Sequence, residues 1–263
     1  MSIKLFKVLI SKFLLQEEEI TGNISNQLVS SGARKPTRCS KQGLVCVFNN
    51  YMFDEASKWY REGAQLDNKN LFNAFTNLQY QVELYPNFSR EETLSQLTNV
   101  VQNINGVDRL LMFFLSHGKS ANEFFTTDMK SIDISEILDN LTDSRCPSMK
   151  DKPKLVFFNY CRGENIQASM LFDTVKQGVQ EAPKNLAVVQ ATLPGMMANR
   201  LPDKGTIFVD SLCEILEQYA EREALNNIVY KTSKTMQQKM GTTASVQLID
   251  FPHPEEFYFD LNR

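Results

Sequence analysis

Short apolar runs alternate with amphipathic helical patterns along most of this chain. Residues that are apolar at consecutive positions are typical of strands buried on both faces, as in parallel sheets. Such runs predict strands at 44–48, 82–85, 110–115, 155–158 and 186–191. Two further candidate strands, 244–251 and 257–259, close the chain around a proline-flanked turn.

The segments between these runs predict helices with one apolar face. Ser89 with Glu92, and Asp133 with Glu136, have the spacing of helix capping boxes. The apolar stripes are Leu71, Phe75 and Leu78; Leu94, Leu97, Val101 and Ile104; Phe208, Leu212, Ile215, Leu216 and Tyr219; and Leu225, Ile228, Val229 and Met236. The alternation predicts an α/β three-layer sandwich, with a mostly parallel central sheet and helices on both faces.

The pattern also divides the chain. Residues 1–42 are expected to form a flexible leader, because 16–42 is rich in Ser, Asn, Gly and Lys without an apolar period. The first fifteen residues permit a short amphipathic helix, but their longest uncharged stretch is too short for a signal peptide or a membrane span. The helical and strand patterns lapse again over 164–185, which predicts a linker between the parts 43–163 and 186–263.

Composition narrows the class of protein. The 263 residues include 31 acidic and 28 basic side chains, with 42% hydrophobic and 22% charged residues, as in an ordinary water-soluble globular protein. Without a basic cluster, nucleic acid is not expected as the partner, and a membrane partner is not expected either. The five cysteines are scattered without a C-x-x-C pair, so we expect no disulfide framework, no metal site and a reducing, cytoplasmic location.

Two chemically active side chains follow neighbouring predicted strands, at the edge where open parallel sheets bind ligands. His117 follows the run 110–115, and Cys161 follows the run 155–158. A thiol needs a base or cation to become nucleophilic at neutral pH. The only other histidine, His253, lies between two prolines in the predicted turn, so His117 is the candidate base. Either residue alone would be typical of an inert core side chain, but their joint placement favours a catalytic pair.

These residues carry a family resemblance. Asn159-Tyr160-Cys161-Arg162-Gly163, with His117 upstream, resembles the caspase signature Q-A-C-[RQG]-G and its histidine. Coverage is about residues 43–260, and the chain is most similar to short-leader caspases. Further matching segments are Tyr60-Arg61-Glu62-Gly63 with Asp67, Phe114-Leu115-Ser116-His117-Gly118, Arg145-Cys146-Pro147, Lys152-Pro153-Lys154, Thr192-Leu193-Pro194-Gly195 and Ser211-Leu212-Cys213.

The resemblance implies a cysteine endopeptidase that cleaves after aspartate in programmed cell death, without a cofactor. Its nucleophile would be Cys161 and its base His117, with the N–H groups of Gly118 and Cys161 holding the oxyanion. Arg61 and Arg200 would line the pocket for the substrate aspartate, since guanidinium groups suit a carboxylate. The other pocket residues by resemblance are Asn159, Met197, Ala198 and Asn199.

The resemblance also implies processing and assembly. The parts 43–163 and 186–263 correspond to a large and a small subunit, and Asp173 is the only aspartate in the linker at which a zymogen could be cut. The family's two-fold dimer would form by edge pairing of the strand at 244–251, with a second copy or with another caspase. Protein substrates and caspase inhibitors are the other partners that the resemblance implies.

The sequence departs from the caspase pattern around the pocket. Asn159 replaces the usual Gln, Tyr160 replaces Ala and brings a large ring beside the thiol, and Met196-Met197-Ala198-Asn199 replaces aromatic residues, Ser and Trp. These changes motivate an alternative, a weak or inactive homologue that binds and regulates another caspase. A flavodoxin-like ligand-binding domain is disfavoured because Asn49-Asn50-Tyr51, and not a Gly-rich phosphate loop, follows the first strand.

Overall fold

A six-stranded sheet organises the computed structural model of the protein. The structure describes residues 41–53, 57–162, 182–193, 195, 197–240, 245–250 and 256–262. Leader residues 1–40, the linker up to residue 181 with Asp173, and His253 therefore lie outside the described residues. The strands of the sheet are β1 (Gly43–Asn49), β2 (Gln81–Pro86), β3 (Arg109–Leu115), β6 (Lys154–Asn159), β7 (Leu186–Gln190) and β10 (Gln247–Asp250).

The strand order is β10-β7-β6-β3-β1-β2, and every neighbouring pair is parallel except β10 with β7. All residues of β1, β3, β6 and β7 are buried, which explains their unbroken apolar sequences. The five strands predicted from the apolar runs and the sixth predicted near the C-terminus are confirmed. The mostly parallel sheet is confirmed with them.

Among the described residues, five α-helices cover the two faces of this sheet. They are α1 (Gln65–Asn77), α2 (Arg90–Asn103), α3 (Ile134–Asp139), α4 (Ile207–Tyr219) and α5 (Leu225–Met240). Both predicted capping boxes are present, at Ser89 with Glu92 and at Asp133 with Glu136. None of the helices among the described residues is long and apolar enough to cross a bilayer.

Strand alternation sends side chains into two separate cores. On one face, Met112 and Phe158 pack with α2 and α3. On the other face, Phe113 and Phe157 pack with α1, α4 and α5, and their rings stack with centroids 4.3 Å apart. The sheet with its two helical layers is the three-layer α/β sandwich that the sequence predicts.

Two small hairpins were not predicted. One joins β4 (Glu123–Phe125) to β5 (Ser131–Asp133), and the other joins β8 (Arg200–Leu201) to β9 (Gly205–Thr206). Strands this short show no detectable period in a sequence. The second hairpin matters most, because it carries Arg200.

The strand predicted at 257–259 is wrong. Only an isolated bridge between Tyr258 and Ala224 forms there. The Arg109 guanidinium instead donates to the carbonyls of Tyr258 and Asp260, at 2.7 and 2.5 Å, while Phe257 and Phe259 are buried. The buried rings of Phe257 and Phe259 therefore anchor a segment that is not a strand. Its carbonyls accept hydrogen bonds from the Arg109 side chain, and not from a neighbouring strand.

Removing the stacked ring at Phe157 tests the importance of the core beneath β3 and β6. Phe157→Ala is expected to lower the free energy of unfolding by about 3–5 kcal/mol, through lost burial and a cavity, and Phe157→Leu by about 1 kcal/mol. Tyr230→Ala, the same kind of truncation at a ring that is 62% exposed, should change it by less than about 0.5 kcal/mol. Urea unfolding followed by circular dichroism measures the free energy of unfolding of all three variants. Equal losses of this free energy at positions 157 and 230 would contradict the placement of Phe157 in the core.

Candidate active site

Parallel pairing of β3 with β6 brings the two candidate catalytic residues to one edge of the sheet. Leu115 pairs with Asn159, and the Ser116 N–H donates to the Asn159 carbonyl at 3.2 Å. His117 and Cys161 each lie two residues beyond this matched pair. They therefore continue the alternation toward the same face, the one covered by α1, α4 and α5.

Close approach at Gly118 brings the two strand ends together directly. A Cβ atom at Gly118 would lie 1.5 Å from the Cys161 carbonyl oxygen and 2.6 Å from its carbonyl carbon. Only a residue without a side chain fits this separation. The backbone that follows His117 is thus in contact with the backbone of Cys161, in agreement with the predicted pairing of the two residues.

His117 is held by a backbone carbonyl and by aromatic rings. Its Nε2 lies 2.9 Å from the Trp59 carbonyl oxygen, and its ring packs against Phe53 and Trp59 with centroids 5.2 and 5.3 Å away. A carbonyl oxygen only accepts hydrogen bonds, so Nε2 must carry the proton. The lone pair of a neutral imidazole is then on Nδ1, the nitrogen left free for a second partner.

Burial lowers the pKa of His117 to about 4. The positive charges of Arg61 and Arg200 act in the same direction, whereas the hydrogen bond to Trp59 opposes them. The imidazole is consequently neutral at pH 7 and able to accept a proton. That is the protonation state which a general base requires.

Cys161 is half-buried and its thiol is free. The backbone N–H of Ala198 donates to its Sγ atom, with 3.3 Å between the two atoms. This hydrogen bond links the sulfur to the backbone of the 197–199 segment. The predicted pocket segment around Ala198 therefore lies directly against the candidate nucleophile.

The ring of Tyr160 does not lie beside the thiol, contrary to the expectation from sequence. It packs against Phe124 and Phe158 in the α2 and α3 core, and its hydroxyl donates to the Ala121 carbonyl at 3.3 Å. Successive side chains along a strand point to opposite faces of the sheet. Tyr160 therefore lies on the same face as Phe158, and Cys161 lies on the opposite face. The replacement of Ala by Tyr thus enlarges a core and leaves the cleft open.

Arg162 fastens the segment that carries Cys161. Its Nε donates to the Ala121 carbonyl at 3.0 Å, and its Nη1 donates to the Thr192 carbonyl and the Gln247 Oε1 atom at 3.2 and 2.8 Å. The Thr192 hydroxyl donates in turn to the Tyr160 carbonyl at 3.0 Å. These bonds join the nucleophile segment to the chain beyond β7 and to β10.

Arg61 and Arg200 are the two arginines that the sequence predicts for a pocket that binds a carboxylate. Arg61 is buried, and its Nη1 donates to Asn49 Oδ1 and the Asn50 carbonyl at 3.0 and 2.7 Å. Burial lowers the pKa of Arg61 to about 10, with the charge of Arg200 acting in the same direction and that of Asp67 opposing it. Burial also lowers the pKa of Arg200, while Cys161 opposes this shift. Both cations therefore interact electrostatically with the thiol and with each other.

The remaining predicted pocket residues line a cavity of about 200 Å³ beside the thiol segment. Asn159 is buried there and donates from its Nδ2 to Thr206 Oγ1 at 2.8 Å. Met197 is 72% exposed at its rim, and Ala198 and Asn199 complete the pocket wall. Deeper in the cavity, the walls are Ile207, Phe208, Met236 and Met240.

Three contacts of the site were not predicted from the sequence. The Trp59 carbonyl holds His117, Thr206 binds the Asn159 amide, and Asn49 supports Arg61. A backbone carbonyl has no sequence signature, but Asn49 could have been found, because a polar residue ending a buried apolar strand is unusual. Within the described ranges, no group of three His, Cys, Asp or Glu side chains could hold a metal ion.

Comparisons with known proteins agree with this geometry. A family model of the caspase domain matches residues 42–251. Caspase Dronc of Drosophila melanogaster is 25% identical over 237 residues, or 78% of this chain and 52% of that protein. Human caspase-10 is 28% identical over 193 residues, covering 69% of this chain and 36% of that protein, and bovine caspase-3 is 26% identical over 201 residues, covering 74% and 72%.

The chain thus spans about half the length of Dronc and about a third of caspase-10. The matched region nevertheless includes the whole described sheet, both strand ends with their cysteine and histidine, and the hairpin with the second arginine. A family model that covers most of the chain, together with this fold, shows that the chain belongs to the caspase family.

Proposed function

We propose that the protein is a cysteine endopeptidase that cleaves peptide bonds after aspartate. The contact of Gly118 with the Cys161 backbone is the observation that carries this proposal, because it brings the histidine and cysteine segments together at one edge of the sheet. Two cations, Arg61 and Arg200, act on the same thiol. The curated relatives, all caspases by name, support it as well.

The first step forms a bond between sulfur and the substrate carbonyl carbon. The Nδ1 of His117 takes the thiol proton, and Sγ of Cys161 attacks the carbonyl. The oxygen gains a negative charge and accepts hydrogen bonds from the N–H groups of Gly118 and Cys161, which are adjacent because the two segments touch.

The second step breaks the peptide bond. The carbonyl reforms as the C–N bond breaks, and His117 returns its proton to the leaving amine, which leaves an acyl thioester on Cys161. Water, deprotonated by His117, then attacks the thioester, and the departing sulfur regains the proton. The Trp59 carbonyl stabilises the imidazolium that forms in each half-reaction, through its bond to the Nε2 proton.

Specificity for aspartate would come from the paired guanidinium groups. The charge of Arg200 lowers the pKa of Arg61, which indicates repulsion between the two guanidinium groups, and a substrate carboxylate between them would relieve that repulsion. The Arg61 Nε is buried without a hydrogen-bond partner in the described part of the chain, which leaves one donor for such a ligand. A neutral side chain would leave this donor unpaired.

A second candidate is a non-catalytic homologue that binds and regulates another caspase. The hydrogen bond from the Asn159 side chain to Thr206 favours this candidate, because an amide group that binds Thr206 is not available to bind a substrate. The Ala198 amide on the sulfur favours it too, since the pocket segment then covers the nucleophile. The peptidase is the stronger candidate, because the Tyr160 ring packs in the core against Phe158 and His117 is neutral at pH 7.

The cellular setting is also a proposal. By resemblance to caspases we place the protein in the cytoplasm and in programmed cell death, made as a zymogen whose parts 43–163 and 186–263 become two subunits. A dimer with a second copy, or with another caspase, would pair along β10, an edge strand of the sheet. Caspase inhibitors would compete at the same cleft.

Loss of the thiol tests the peptidase directly. Cys161→Ala is expected to reduce kcat/KM on a fluorogenic peptide ending in aspartate by at least about a thousandfold, because no other group can form the thioester. Cys146→Ala, at a free cysteine in the core on the opposite face of the sheet, should stay within about threefold of the parent. Parent and Cys161→Ala proteins with equal rates would support the non-catalytic candidate.

Substitution at Gly118 tests the contact between the strand ends. Gly118→Ala should lower kcat/KM by about a hundredfold or more, since the new methyl group overlaps the Cys161 carbonyl and displaces the oxyanion donors. The control is Gly106→Ala, where the Cβ would meet only Gln42 at 3.9 Å. Gly106 has φ +69°, so that variant should lose about 1 kcal/mol of stability while its kcat/KM is unchanged. Equal kcat/KM values for the two variants would contradict a catalytic role for the contact between Gly118 and Cys161.

Processing between the two parts is tested at Asp173. Active parent protein should convert itself to two fragments, and Asp173→Ala should remain a single chain, as judged by mass spectrometry of the intact products. Asp203→Ala, an exposed aspartate of the β8–β9 turn, should be processed like the parent. Fragments cut at the same position in the Asp173→Ala protein would refute the assignment.

A further inference from the structure

Asp67 is a buried carboxyl group beneath the two arginines. It lies in the first turn of α1 and is completely buried. Its Oδ1 atom accepts a hydrogen bond from the Thr206 N–H at 2.8 Å, and a Cβ at Gly205 would come within 2.4 Å of the same oxygen. The β8–β9 hairpin therefore packs directly on this carboxylate.

This contact crosses the two parts of the chain. Asp67 belongs to the part 43–163, whereas Thr206 and Arg200 belong to the part 186–263, and Arg200 pairs with Thr206 across the hairpin. Anchoring Thr206 consequently fixes the strand pair that presents Arg200. Arg61, six residues before Asp67 in sequence, also interacts electrostatically with the carboxylate.

The charged and titratable groups that face Asp67 are few. Arg61 and Arg200 stabilise its ionised form, as do the N–H and hydroxyl of Thr206. Cys213 of α4 faces it as well, but burial raises the pKa of that thiol, so it stays uncharged. The Oδ2 atom of Asp67 is buried without a hydrogen-bond partner among the described residues.

We propose that Asp67 is a positioning residue, which anchors the hairpin of Arg200 and whose charge sets the affinity of the pocket for an aspartate side chain. An ionised Asp67 offsets one of the two guanidinium charges, whereas a neutral Asp67 leaves both for the ligand. The inference rests on the proposed function, since it concerns the pocket for the substrate aspartate.

The ionisation of Asp67 falls in the physiological range. Burial raises its pKa to about 7, although the two arginines and Thr206 act in the opposite direction. Below that pH the carboxyl is neutral and the pocket has a net charge of two. Above that pH the ionised carboxyl reduces the net positive charge of the pocket by one, and the affinity for an aspartate carboxylate falls.

Binding to a Cys161→Ala protein tests this without catalysis. The probe is a fluorescein-labelled tetrapeptide amide ending in aspartate, and fluorescence polarisation gives its Kd from about pH 6 to about pH 8, a range in which the peptide carboxylate stays ionised. His117, with a pKa of about 4, and Arg61, with a pKa of about 10, do not titrate in this range. The Kd is expected to rise about tenfold as pH increases.

Two variants in the same background separate charge from structure. Asp67→Asn keeps an oxygen for the Thr206 N–H but cannot ionise, so its Kd should be independent of pH and equal to the low-pH value of the parent. Asp67→Ala leaves that N–H unpaired, so its Kd should be about tenfold weaker or worse at every pH. The matching peptide that ends in asparagine should show no dependence on pH in any of the proteins.

Each outcome decides between the inference and the proposed function. A parent Kd that does not change with pH, or an equal pH slope in Asp67→Asn, would overturn the inference and leave the peptidase intact. Failure of the Cys161→Ala protein to bind the aspartate peptide more tightly than the asparagine peptide would overturn the aspartate specificity and the inference with it. Thermal denaturation gives a further readout, because the parent should lose stability relative to Asp67→Asn as the pH rises from 3.8, the ordinary pKa of the carboxyl, to about 7, its pKa in the folded protein, with no further relative change above that.

Discussion

The parallel, in-register pairing of β3 with β6 is the constraint on which the candidate site depends. It fixes Leu115 opposite Asn159, so that the chain leaves both strands at the same level of the sheet. Beyond this pair the segments touch at Gly118, three residues after Leu115, and at Cys161, two residues after Asn159. A shift of one residue in this register would turn either His117 or Cys161 toward the opposite face.

Burial of charge is the second determinant of the site. The surroundings that keep His117 neutral also hold Arg61 in place, through bonds to Asn49 and Asn50. Fixed cations at low hydration attract a carboxylate more strongly than mobile surface arginines would, because little reorganisation is needed on binding. Asp67 offsets part of this charge, so the pocket combines the buried Arg61 and Asp67 with the half-buried Arg200.

Much of the fold could be predicted, because the strands of the central sheet are apolar at consecutive positions and the helices begin with capping boxes. The pairing of His117 with Cys161 was predictable for the same reason, since both follow buried strands. The aromatic alternation at Phe257 and Phe259 was misleading, because Arg109 binds the carbonyls that a strand would use. The orientation of Tyr160 could have been predicted, because it lies two residues after Phe158 and so on the same face of the sheet. The Trp59 carbonyl and the two-residue strands of the Arg200 hairpin could not, since the sequence of side chains does not mark either of them.

The site also combines segments that are distant along the chain. Trp59 and His117 are 58 residues apart, and Asp67 and Thr206 are 139 residues apart. Contacts between such remote segments carry a large loop-closure entropy and form late during folding. The newly synthesised polypeptide therefore cannot complete the candidate site until the segment with Thr206 has been made and has docked on the segment with Asp67.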